Sequence, residues 1–80
     1  MDVAVRNHTS SDIIVHCFDS FAGGRREVEG SPFSLSPDEV SPQFAVKQTA
    51  NGDGKIEWSI EGGTNAVDVS TGDGDIIDVS

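Results

Sequence analysis

Between Lys55 and Glu61 polar and apolar residues alternate without a break, as Lys55, Ile56, Glu57, Trp58, Ser59, Ile60 and Glu61. Successive side chains of a strand point to opposite faces. This segment therefore buries Ile56, Trp58 and Ile60 together only as a β-strand, with Lys55, Glu57 and Glu61 left in water. The same period of two recurs at Val3 and Val5, Phe33 and Leu35, Phe44 and Val46, Val67 and Val69, and Ile77 and Val79. No window long enough for a helix carries an apolar stripe at helical spacing. Residues 12–18 break the rule in one respect. Ile13, Val15 and Cys17 share one parity, while Ile14, His16 and Phe18 make the other parity largely apolar too. A strand of that kind belongs at the centre of a sheet or beneath a covering layer.

Turn residues separate these runs: His8 to Ser11, Phe21 to Gly24, Gly30 to Pro32, Ser36 to Asp38, Asn51 to Gly54, Glu61 to Asn65 and Thr71 to Gly74. Asn-Gly and Asp-Gly supply the positive φ that tight turns require. Pro32 and Pro42 are expected at strand starts or edges, because proline cannot donate to a ladder. The spacing predicts an all-β fold: a small antiparallel β-sandwich, or a partly open barrel, of roughly seven to eight short strands joined by tight hairpins. With 80 residues, the chain is expected to form a single domain over 1–80. Its core is expected to take Val3, Val5, Ile13, Val15, Cys17, Val28, Phe33, Leu35, Phe44, Val46, Ile56, Trp58, Ile60, Val67, Val69, Ile77 and Val79. That core is thin for an independent domain. Gly52–Ile56 is echoed by Gly72–Ile76, which is expected to be one hairpin turn used twice; a repeat array would need more units.

Charge narrows the partners. The chain carries 14 acidic and 5 basic residues, for a net charge of −9. Residues 51–80 hold seven of the acids and one base, Lys55. Direct nucleic-acid binding needs a basic footprint that is missing here. No run approaches the roughly 20 apolar residues of a membrane span, so no membrane insertion is expected. The segment Met1 to Asn7 has neither a basic leader nor an apolar signal core. With no signal peptide visible, a cytoplasmic or phage-encoded intracellular protein is expected. Cys17 is the single cysteine, so no internal disulfide forms. His16 would lie on the opposite face of its strand, leaving Cys17 as a small buried hydrophobe. Asn7-His8-Thr9 matches a glycosylation sequon and is read here as a turn.

Candidate chemistry is sparse. Thr49 to Ile56 resembles the middle of an EF-hand loop, but Thr49 and Ile60 stand where the first ligand and the bidentate glutamate belong, and the flanks are strands. A looser calcium site would form if loops carrying Asp53, Asp73, Asp75 or Asp78 met at one end of the sandwich. Such a site would support a calcium-dependent ligand- or carbohydrate-binding module. The glycine-rich turns carry aspartates that repel phosphate and open no helix, which excludes a phosphate cradle. No Ser, His and Asp form a nucleophile motif, and the paired carboxylates sit at turns or in water, so no enzyme is expected. Carboxylates at Asp73 and Asp75, or spread over Glu57, Glu61 and Asp68, suggest an acidic inhibitor that mimics nucleic acid and blocks a basic surface. The favoured expectation is a non-catalytic module that binds a protein, a second copy of itself or a ligand. Ile14, Phe18, Phe21, Arg25 and Arg26 form its interface, because aromatic and arginine side chains on a rigid scaffold are typical contact centres.

Overall fold

The alternating segments become strands with the expected parities. The computed structural model describes residues 1–63 and 66–80 and places eight strands among them: β1 (Asp2–Asn7), β2 (Ile13–Asp19), β3 (Arg26–Glu27), β4 (Phe33–Leu35), β5 (Phe44–Ala45), β6 (Asp53–Ile60), β7 (Ala66–Gly72) and β8 (Ile76–Val79). A 3-10 turn, Phe21–Gly23, follows β2. In the larger sheet β3 and β4 share one flank of β2, β6 takes the other, and β7 forms the far edge. The smaller sheet runs β5, β1, β8. The two sheets close on one hydrophobic core as a small β-sandwich. Of the turn expected at Glu61 to Asn65, Thr64 and Asn65 lie outside the described residues.

All strand pairings are antiparallel except β1 with β8, which is parallel. The turn between β7 and β8 explains it. Asp2 donates its N–H to Asp73 Oδ1 at 2.8 Å, and Gly74 donates to the Asp2 carbonyl at 2.8 Å. The crossing is thus pinned beside the start of β1, and β8 sets out in the same direction. Hairpins join β2 to β3 and β6 to β7, whereas four other connections carry the chain between the sheets. The echo of Gly52–Ile56 at Gly72–Ile76 is therefore not one turn used twice. The first copy leads into β6, and the second crosses from β7 to β8.

Val3 and Val5 of the smaller sheet share one core with Val15, Cys17, Ile56 and Trp58 of the larger, and Phe33 stacks on Phe44 with ring centroids 5.6 Å apart. Pro32 stands just before β4, as expected. Ile13, Ile60, Val69 and Ile77 pack at the rim. Val67 corrects the expected core: it stays 36% exposed because, among the described residues, β7 has a neighbouring strand on one side only. The core also takes polar groups that alternation did not mark, namely Asn7, Asp19, Ser41 and Thr71. The buried Trp58 indole N–H has no acceptor among the described residues. Gly54 in β6 is required by close approach, since a Cβ there would lie 2.6 Å from the Lys47 carbonyl oxygen. No helix among the described residues is long and apolar enough to cross a membrane.

Candidate functional site

The second parity of β2 points Ile14, His16 and Phe18 onto the outer face of the larger sheet. The register sets Phe18 opposite Glu57 of β6 and Glu27 of β3, and Glu57 opposite Asp68 of β7. Long polar side chains take the place of a covering layer. The Arg25 guanidinium carbon lies 3.9 Å from the Phe18 ring centroid, while Arg25 Nε reaches Glu57 Oε2 at 2.9 Å. Arg25 remains 61% exposed in this clamp, so it is held in place without being sealed from solvent.

Two carboxylates directly opposite each other destabilise a sheet unless cations intervene. Arg25 answers Glu57, and Lys55 Nζ answers Asp68 Oδ2 at 2.9 Å. Ser20 Oγ donates to Asp68 Oδ1 at 2.6 Å. The Ser20 hydroxyl first, and then Lys55, hold the Asp68 carboxyl below the usual range. His16 stands between Glu27 Oε2, 3.6 Å from Nδ1, and Glu61 Oε1, 3.3 Å from Nε2. Near the start of β2, Asp12, Ile13, Ile14, Ser34, Ile60 and Glu61 line an open depression of about 350 Å³.

The structure thus gathers Ile14, Phe18, Arg25, Glu57, Glu61 and Asp68 on one face and sends the other two interface candidates elsewhere. Arg26 turns to Asp19, its Nη2 3.2 Å from Oδ2. Phe21 is half-buried on the 3-10 turn and donates its N–H to Asp19 Oδ1 at 3.0 Å. The Lys47 N–H adds a third bond, to Asp19 Oδ2 at 2.9 Å. Burial alone would raise the Asp19 pKa, but the N–H groups of Lys47 and Phe21, with Arg26, lower it on balance. Asp19 belongs to no motif, and only its parity, that of Val15 and Cys17, marks it in the sequence.

Of the four aspartates expected on loops, Asp53 and Asp78 lie in strands β6 and β8, and the bonds of Asp73, Asp75 and Asp78 are separate local ones. Asp73 accepts the Asp2 N–H, and Asp75 Oδ2 accepts from the Gly72 N–H at 2.8 Å and from Thr71 Oγ1 at 3.2 Å. Asp78 takes two bonds from Arg6, at 2.7 and 3.0 Å, which hold its carboxyl low. Asp53 opens β6 opposite Gly72. Among the described residues no three His, Cys, Asp or Glu side chains converge as a metal-ligating group.

Cys17 is fully buried, and burial first, then the negative charge of Glu27, pushes its thiol up to about 12. The folded protein is therefore expected to react with a disulfide reagent at pH 8 roughly a hundredfold or more slowly than the unfolded chain, because the thiolate is the nucleophile. Comparable rates with and without denaturant would show Cys17 to be accessible. No protein-family model matches the chain, and no curated protein or solved structure is significantly similar to it.

Proposed function

We propose that this acidic sandwich is a non-catalytic protein-interaction module whose contact surface is the outer face of the larger sheet, with Phe18 and Arg25 at its centre and Ile14 at one end. The carrying observation is the clamp itself: an arginine held 3.9 Å over an aromatic ring by a carboxylate, on a sheet face without a second layer. A pre-set guanidinium loses little freedom on binding, and a cation over a ring joins apolar and polar recognition in one place. A fitting partner brings a carboxylate or carbonyl to Arg25 and an apolar side chain to Phe18 or Ile14. Phe21 and Arg26 stand outside that centre, as parts of the framework around Asp19.

The acidic-mimic alternative draws less support from this geometry. Glu57 and Asp68 are already engaged by Arg25 and Lys55, so the face is a mosaic of both signs and not a row of free carboxylates.

Quantitative affinity capture at two salt concentrations, with Arg25→Ala and Ile14→Ser beside the parent, tests the proposal. Arg25→Ala is expected to weaken the captured interaction about thirtyfold, the effect of losing a contact-centre arginine. Binding of the parent is expected to weaken only severalfold between low and physiological salt, the share of one exposed arginine contact. The opposite pattern, steep salt dependence with no effect of Arg25→Ala, would transfer the assignment to the acidic mimic.

A further inference from the structure

The far edge of the larger sheet carries an inference independent of the Phe18 face. Backbone bonds fix which way each strand's polar groups point. Ser20 donates its N–H to the Lys55 carbonyl, and the Glu61 N–H donates to Ile14, so odd-numbered residues of β6 face β2 and even-numbered ones face β7. The register pairs Gly54 with Thr71, Ile56 with Val69 and Trp58 with Val67. Val67, Val69 and Thr71 therefore spend their backbone groups on β6, while those of Asp68, Ser70 and Gly72 point away from the sheet. Gly72 is answered by Asp75, with its N–H on Oδ2 at 2.8 Å and its carbonyl accepting the Asp75 N–H at 3.1 Å. The N–H and C=O groups of Asp68 and Ser70 have no partner among the described residues.

Natural edges are blunted by lysine, proline or a bulge. Strand β7 has no lysine, proline or bulge, and its one charge, Asp68, is drawn to Lys55 of β6: its sequence is Ala-Val-Asp-Val-Ser-Thr-Gly, and its pairing with β6 runs unbroken from Ala66 to Gly72. Val67, 36% exposed, and half-buried Val69 offer apolar surface on the inner side of the edge. Asp68 and Ser70 share the outer side. Charge identifies the occupant. Residues 66–80 hold no base, and of their four acids Asp68 is met by Lys55 and Asp78 by Arg6. Asp73 and Asp75 are exposed, and neither carries an ion pair to any described cation. A second copy would bring two such flanks together on chains of net charge −9 each.

We infer that β7 is a strand-addition site for an extended peptide segment that alternates cationic and apolar side chains. Pairing antiparallel, the segment sets cationic residues opposite Asp68 and Ser70, where each exchanges two backbone hydrogen bonds, and lays its apolar residues over Val67 and Val69. The residues whose N–H groups face β7 are then the cationic ones.

The probe is acetyl-Lys-Val-Lys-Val-Lys-amide, titrated into the ¹⁵N-labelled protein in physiological salt. Saturable amide shifts centred on Val67 to Ser70 are expected, and the Glu-Val-Glu-Val-Glu peptide is expected to bind at least about tenfold more weakly. N-methylation of the lysine residues should cost at least about tenfold in affinity, while N-methylation of the valines should leave it nearly unchanged, since their N–H groups point outward. Ser70→Pro removes one outward N–H at an edge position that tolerates proline and should weaken binding without moving the melting temperature. If that variant fails to fold, the paired N-methyl peptides decide alone. Equal loss from both methylation patterns, shifts confined to Asp73 and Asp75, or a β7-paired dimer in sedimentation of the unliganded protein would each overturn the inference. None of these outcomes bears on the Phe18 and Arg25 face.

Discussion

Replacing Asp19 with alanine is expected to lower the unfolding free energy by about 3 kcal/mol, the loss typical of breaking a buried charged network. Asp19 is 3% exposed, and its carboxylate receives the Phe21 N–H, the Lys47 N–H and the Arg26 guanidinium. It ties the end of β2 to the 3-10 turn, to β3 and to the segment that leads from β5 towards β6. Alanine leaves both backbone donors without that acceptor, which is why the loss exceeds that of an ordinary hydrogen bond. For a chain of this size the total stability is about 4–12 kcal/mol at the usual per-residue values, so the variant loses a large share of it.

The pH dependence has a definite sign. The folded Asp19 pKa lies below its ordinary value. Its contribution is therefore complete above the unfolded carboxylate value, about 4, and is lost as pH falls through the lower folded value. Urea unfolding of the parent and Asp19→Asn across pH 7 to pH 2 separates this charge from the shape of the side chain. Asparagine fills the site but turns an amide N–H₂ towards one of its donors, and the gap to the parent should shrink in acid. Asp68 and Asp78 add to the parent's acid sensitivity, but they lie at the surface, where such pairs are weak. A loss under about 1 kcal/mol for Asp19→Ala, at an unchanged urea slope, would show that the surrounding donors find water instead.

Asp19 also marks where the sequence becomes hard to read. The strands of the core were legible because alternation of Val3 with Val5, or of Ile56, Trp58 and Ile60, is dictated by the pleat alone. The outer parity of β2 was legible as well, and Ile14 and Phe18 do share a face. Which charged residue would cover Phe18 was not, because Arg25 and Arg26 are adjacent in sequence and only the register of β3 sends one to Glu57 and the other to Asp19. The parallel course of β8 was equally hidden, since it follows from the docking of Asp73 and Gly74 on Asp2 across 71 residues. The signal that marks such sites is a polar residue on a core parity. Asp19 follows Val15 and Cys17, just as Asn7 follows Val3 and Val5. A polar side chain that keeps the rhythm of a buried face must find partners inside.

Asn7 makes the second large prediction, and it turns a sequon into a structural pair. Its side chain is fully buried at the end of β1. Nδ2 donates to the Ser11 carbonyl at 2.7 Å and to the Leu35 carbonyl at 3.0 Å, while Oδ1 accepts the Thr9 N–H at 2.9 Å and the Thr9 hydroxyl at 2.6 Å. An amide has two donors and two acceptor sites, so its capacity is filled. Because Leu35 belongs to β4, one bond is a polar strut between the two sheets; the others fold the 8–11 turn against it. Asn7→Ala is expected to cost about 3 kcal/mol, since it empties a fully buried site and removes its four bonds at once, among them the buried one to the Leu35 carbonyl. That corresponds to a fall in melting temperature of about 10 °C or more for a domain of this length. Thr9→Val should lose only about 1 kcal/mol, a single hydroxyl's share. Asn7→Asp is the sharper variant, because it keeps the shape but points an acceptor-only carboxylate at two carbonyl oxygens. At pH 7 it should be at least as damaging as alanine, and part of the loss should return in mild acid, where the protonated group regains one donor. A melting temperature for Asn7→Ala within about 3 °C of the parent would refute the strut. The same bonds leave the Asn7 nitrogen enclosed and doubly engaged in the folded domain, so the residues that spell an attachment signal are instead those that hold the first turn to the opposite sheet.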